Sequence, residues 1–159
     1  MCSNNRTTLY NICEIQHSIG ETSKHLLFLH AVTGCDTMSA TYPQGKRRAF
    51  NVVHKQKDYS LMDTFSNAEI SKKDVKDAGE QFIFKLYRNS NSKSLNEYRI
   101  FAYKEQSGEG LSSSFQLTSL LSTSAAAEQH SYRTYHTVQQ WMGNILPPSD
   151  WGGRFKMAC

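Results

Sequence analysis

Apolar residues along this chain recur at spacings of three and four, and this period predicts helices. Leu26, Leu27, Leu29 and Val32 lie almost all round a helix over 22–33, which is therefore expected to be buried. Thr22 or Ser23 would cap its start, and Gly34 would close it in a left-handed turn. A helix over 45–56 would turn Ala49, Val52 and Val53 inward and Lys46, Arg47 and Lys55 outward. Ser71-Lys-Lys-Asp74 looks like a capping box opening a helix over 72–88, with Val75, Ala78, Phe82 and Leu86 on one face. The run Asn89 to Ser92 breaks it. Ser94-Leu-Asn-Glu97 opens another helix over 95–104, with Tyr98, Phe101 and Ala102 together, and Gln106 to Ser114 reads as a Gly/Ser loop. The last long helix is expected over 124–142, apolar at Ala127, Tyr135, Val138 and Trp141, and ended by Gly143 ahead of Pro147-Pro148. Nothing alternates with period two, and no internal repeat is visible. The expected fold class is mainly α.

Composition changes this picture little. At 159 residues and 38% hydrophobic the chain is of single-domain size, with an ordinary globular balance. Its strongest apolar stretch, Leu26 to Val32, is far too short to span a bilayer, so no membrane partner is expected. The first residues, MCSNNRTTLYN, lack the basic-then-apolar design of a secretory leader. Cys2, Cys13, Cys35 and Cys159 are scattered without a C-x-x-C pair, which fits reduced thiols rather than a zinc knuckle or a redox motif.

Charge is more informative in its distribution than in its sum. The net charge is only +4, yet Gly45 to Lys57 carries five Lys or Arg and no acid. This basic run opens the expected second helix, where unpaired N–H groups and the helix dipole favour an anion. Lys46, Arg47 and Arg48 in the first turn would add the counterion-releasing part of phosphate affinity. Asp36, ten residues upstream of Lys46, would be placed to hold a metal at the neighbouring phosphodiester. The plain alternative is an acidic turn followed by a solvated basic helix.

Other candidates are weaker. His17, His25 and His30 with Cys13 or Cys35 would make a metal set only if they converged, and His25 and His30 are about 140° apart around a helix. His130 and His136 are six apart and no better placed. Cys35 beside Asp36, with His30 nearby, lacks any oxyanion or base motif for a thiol nucleophile. Tyr132, Tyr135, Trp141 and Trp151 could stack bases, but their helical spacing favours the core.

The spacing around Asp36 carries a resemblance. Leu-x-x-His-Ala-x-x-Gly-Cys precedes it, and eight residues separate it from Gly45-x-x-x-Ala49. This is similar to the helix–two-turn–helix of the PIN-like flap endonuclease/XPG superfamily of structure-specific nucleases. The resemblance covers about Leu26 to Val53. It implies that Asp36 is the last of the acids holding two Mg²⁺ ions. It also implies that Gln44, Gly45 and Lys46 meet the duplex backbone, with Arg47 and Arg48 on the basic helix start. Nearly the whole chain is also similar to a group of animal proteins associated with mobile elements. That likeness rests on HAVTGCDTMSA, GKRRA, SAAAEQH (124–130), VQQW (138–141) and PPSDWG (147–152).

Two positions depart from the superfamily pattern. Pro43 stands where the hairpin has its first glycine, and Ala40 stands where many members have serine. Only Glu14 and Glu21 precede Asp36, and neither sits in a matching motif. The expectation is a helical fragment or remnant that lacks the upstream α/β core. Residues 1–58 would carry the helix–two-turn–helix, and 59–159 would form a helical region of open role. Such a chain would bind DNA backbone weakly and without sequence preference, and it would not cut. DNA binding implies the nucleus. The alternative function is a helical structural or protein-interaction module without nucleic acid. Oligomeric state is left open.

Overall fold

The structure, a computed structural model, describes residues 9–35, 45–87, 94–108 and 123–153. It is mainly helical, with no strand among the described residues. Helix α1 spans Ile12–Ile19 and runs through a 3-10 turn, Gly20–His25, into α2, Leu26–Val32. Then come α3 Lys46–Gln56, α4 Ser60–Ser66, α5 Lys72–Tyr87, α6 Leu95–Gly108 and α7 Ser124–Trp141, and a second 3-10 turn covers Pro148–Trp151.

The capping signals act as the sequence suggests. Ser71 Oγ accepts from the Asp74 N–H at 3.2 Å and donates to its carboxylate at 2.6 Å, opening α5. Ser94 Oγ accepts from the Glu97 N–H at 3.2 Å. Gly34 and Gly143 end α2 and α7 at φ 102° and 91°, backbone angles that suit glycine. All four expected core residues of α5 are buried.

Several details differ. Thr22 and Ser23 do not cap α2, which follows the 3-10 turn without a side-chain cap. Thr22 is fully buried, and its hydroxyl lies 3.1 Å from Tyr59 Oη and 3.3 Å from His54 Nδ1. A hydroxyl at that depth serves tertiary partners. Nor is α2 buried all round: Leu26 and Leu27 are 42% and 43% exposed, while Phe28, Leu29, Ala31 and Val32 are covered. On α6, Leu95 is the buried anchor and Phe101 faces out. That helix continues to Gly108, through the first three residues expected as loop. Trp141 also leaves the core and stacks on His30, ring centroids 5.5 Å apart. Asn89 to Ser92 and 109–114 lie outside the described residues.

One apolar core runs across the division at residue 58. It joins Phe28 and Val32 of α2, Ala49 and Val53 of α3, Met62 and Phe65 of α4, four residues of α5, and Tyr135 and Val138 of α7. Helix α7 is its axis, packed on α5, α2 and α4. The segments SAAAEQH, VQQW and PPSDWG each tie this axis to a neighbour. His130 Nε2–H donates to the Val32 carbonyl at 2.8 Å, holding the end of α2. Buried Gln139 donates to the Phe65 carbonyl at 2.9 Å and accepts from Asn144 at 2.6 Å. Trp151 folds back onto Tyr135, centroids 4.3 Å apart.

Two buried histidines give the fold a pH dependence of definite sign. Burial pushes His130 below the ordinary 6.5, and it does the same to His25, which stacks on Tyr59 and has an unpartnered buried Nδ1. Both therefore bind fewer protons folded than unfolded. Their contribution is complete above the unfolded value of about 6.5 and is lost as pH falls toward the lower folded values. Urea midpoints should fall between pH 7.5 and 5.5, roughly a unit either side of the ordinary histidine range. The His130→Gln variant, which keeps a donor for Val32, should show a smaller fall. A midpoint that rises on acidification would contradict the assignment.

Candidate nucleic-acid interface

Helix α3 begins at Gly45, which is extended (φ −86°, ψ 174°) and provides no side-chain cap. Its carbonyl accepts from the Arg48 N–H at 3.0 Å and the Ala49 N–H at 3.2 Å. The N–H groups of Lys46 and Arg47, one step earlier, have no intrahelical acceptor and carry the positive end of the helix dipole. A Cβ at Gly45 would meet nothing within 4 Å, so the residue is not required by local crowding.

Ala49 and Val53 fix the rotation of α3 by pointing into the core. The opposite side then carries the row Arg47-Asn51-Lys55, and the flank between it and the core carries Arg48-Val52-Gln56, each at four-residue spacing. With Gly45 and Lys85 of α5 these six side chains line a cleft of about 640 Å³. From Arg47 to Lys55 the row extends about 12 Å along the axis. Among the described residues no acid and no aromatic ring lines the cleft. Amides and cations of this kind suit phosphate oxygens, and the cleft offers nothing for a base to stack on.

At the far end Lys85 Nζ donates to Asp58 Oδ2 at 2.6 Å. The other carboxylate oxygen accepts from the Ser60 hydroxyl at 2.8 Å and the Ser60 N–H at 3.3 Å. Lys85 and then Ser60 hold the Asp58 carboxyl down at about 2, so it is ionised at neutral pH. Beside the cleft, burial pushes the Tyr87 hydroxyl up to about 12, a shift that the nearby Arg48 charge opposes.

The expected residues are thus only partly united. Arg47, Arg48 and Gly45 line the cleft, and Lys46 is exposed but does not line it. Lys46 lies one position before the Arg47 row, toward Phe50. Asp36 and Gln44 fall outside the described residues, as do Ala40 and Pro43. Lys55 appeared in the sequence only as an outward residue. Asn51, Gln56 and Lys85 gave no signal at all, because only the packing of α3 on α5 brings Lys85 there.

The histidines do not form a metal site. Among the described residues no three His, Cys, Asp or Glu side chains converge as a metal requires. His130 and His136 instead donate to the carbonyls of Val32 and Leu146. His25 lies on Tyr59, and His30 on Trp141. The described side chains therefore do not fit the two Mg²⁺ ions that the resemblance implies. Cys35 is half-buried. Of the four aromatic candidates, Tyr135 is core, Tyr132 and Trp151 pack partly buried against it, and Trp141 is outside it. No helix among the described residues is long and apolar enough to cross a membrane. Comparison with protein-family models, with curated proteins and with solved structures gives no match to this chain.

Proposed function

We propose that this chain binds nucleic-acid backbone through the α3 cleft, weakly and without reading sequence. In this reading it is the backbone-gripping part, or a remnant, of a PIN-like structure-specific nuclease. The observation that carries the proposal is the cleft lining: among the described residues Arg47, Arg48, Lys55 and Lys85 converge with two amide side chains and no acid, next to a helix start without a side-chain cap. A solvated basic helix would spread such charges around its exposed surface. Here the inward turn of Ala49 and Val53 gathers them into one groove. No step of phosphodiester cleavage is assigned to the described residues.

The test is a salt titration with duplex and branched DNA. Dissociation constants on the order of 10⁻⁴ to 10⁻⁶ M are expected at physiological salt, because only backbone contacts are available. Replacing Arg47, Arg48 and Lys55 by Gln or Met should flatten the slope of log K against log salt by up to about 2.7, from roughly 0.9 per phosphate contact. Lys46→Gln alone should matter less than any one of the three. If the triple variant binds like the parent at low salt, the cleft is not the interface. The chain would then be read as a helical interaction module.

A further inference from the structure

Among the described residues the cleft has four cations, and three of them face it without an anionic partner. Lys85 is committed to Asp58 at 2.6 Å, in an ion pair half open to solvent. Asp58 is itself held in place. It follows Lys57, whose left-handed backbone (φ 51°) turns the chain out of α3, and both its oxygens are engaged by Lys85 and Ser60. The result is a fixed carboxylate of the protein's own, on the lysine that closes the Lys55 end of the groove.

We infer that Asp58 is an internal stand-in for a ligand phosphate. It keeps Lys85 occupied in the unbound protein and yields it to a backbone phosphate when a polyanion fills the cleft. The inference rests on the nucleic-acid reading of the cleft and adds the regulation of that site. Competition follows from the chemistry. A lysine ammonium is a mobile point charge on a flexible stem and can change anionic partner without any movement of the helices. An exposed ion pair contributes little to folding, so giving it up disturbs the fold little. The Ser60 hydrogen bonds would remain to keep Asp58 in its turn. Asp58 thus lowers the affinity of the resting cleft and leaves Arg47, Arg48 and Lys55 to make the first contacts.

Asp58→Asn removes the charge and keeps an oxygen for Ser60. Titrated with duplex DNA, this variant should bind on the order of fivefold to tenfold tighter near 0.1 M salt with little change of slope, because Lys85 meets the same phosphate in both complexes. Lys85→Met alone should flatten the slope by about 0.9, the contact that Lys85 makes in the complex, yet weaken binding less than the loss of a free lysine would, since the parent makes that contact only after breaking an ion pair. In the Lys85→Met background, Asp58→Asn should lose most of its gain. Asp63→Asn removes an equal charge from α4, away from the cleft lining, and should give much less. An Asp58→Asn gain that persists without Lys85, or that Asp63→Asn reproduces, would overturn the inference and leave the binding site intact. If neither the parent nor Asp58→Asn binds DNA with a salt dependence, both the inference and the nucleic-acid reading fail. Should Asp58→Asn fold poorly, NMR of the parent decides. DNA should then shift the Lys85 ammonium and Asp58 carboxylate signals together, and unmoved signals at saturation would reject the exchange.

Discussion

Phe28→Ala is expected to cost about 3–5 kcal/mol, the usual range for removing a buried phenylalanine. Phe28 is 2% exposed and is the side chain by which α2 enters the core. Its ring lies against Phe65 of α4 at 4.5 Å and against Phe82 of α5 at 4.8 Å, the latter edge-to-face. Those partners belong to rigid helices that α7 also grips, so they cannot collapse fully into the space left behind. Against a total of about 5–15 kcal/mol for an ordinary domain the loss is large. The thermal midpoint should fall by roughly 6–20 °C, at about 2–4 °C per kcal/mol for a chain of this size. Leu27→Ala, one residue earlier and 43% exposed, should cost no more than about 1 kcal/mol. Urea unfolding of the two variants checks the orientation of α2 directly. Equal losses would mean that the helix is buried all round, as its composition alone suggests.

That contrast shows which part of the fold the sequence carried. Period and caps located the long helices, because Val75, Ala78, Phe82 and Leu86 repeat over three turns and Ser71 and Ser94 mark their starts. The short elements were not legible. Helix α4 has only seven residues and two buried side chains, too few to establish a period. Helix α1 has no buried residue among those it spans, so its apolar positions report on no packed neighbour. In α2 nearly every residue is apolar, and a stripe that broad cannot say which side meets the core. Only the packing of α2 against α7, α3 and α4, with Phe82 of α5 on the Phe28 ring, decides for Phe28 and against Leu26 and Leu27.

The candidate interface was legible to the same degree. Charge density pointed to the start of α3, and the positions of Ala49 and Val53 implied which side would face out. Separating Lys46 from Arg47 and Arg48 needed the cleft itself, whose second wall comes from a helix about thirty residues later in the chain. The Asp58–Lys85 pair is likewise a tertiary contact across 27 positions, with no local period to betray it. The histidines show the converse. Their spacing invited a metal reading, whereas His130 and His136 serve carbonyls, His25, His30 and His54 lie on rings, and His17 is exposed on α1.

A close approach of α5 to α7 leads to the second large effect. Gly79 sits in the middle of α5, where glycine is ordinarily worth about 1 kcal/mol less than alanine. On helix propensity alone Gly79→Ala would stabilise the protein. The packing reverses the sign. A Cβ at Gly79 would lie 1.9 Å from Ser131 Oγ and 2.5 Å from Ser131 Cβ on α7, both far inside van der Waals contact. Rotating the serine hydroxyl relieves the first clash but not the second, because a Cβ moves only with its backbone. Ser131 is also tied to its own helix by a 2.8 Å hydrogen bond to the Ala127 carbonyl. The two helices would have to separate, loosening Phe82 and Tyr135 on either side. Overpacking of this kind costs typically 1–3 kcal/mol and sometimes more, which outweighs the propensity gain. Gly79→Ala should therefore lower the denaturation midpoint, and Ser131→Ala in the same chain should restore little, since it keeps the Cβ. Ser131→Gly combined with Gly79→Ala moves the gap to the other helix and should recover most of the loss, a coupling visible in a double-mutant cycle. A Gly79→Ala variant more stable than the parent would show that α5 and α7 do not cross this closely.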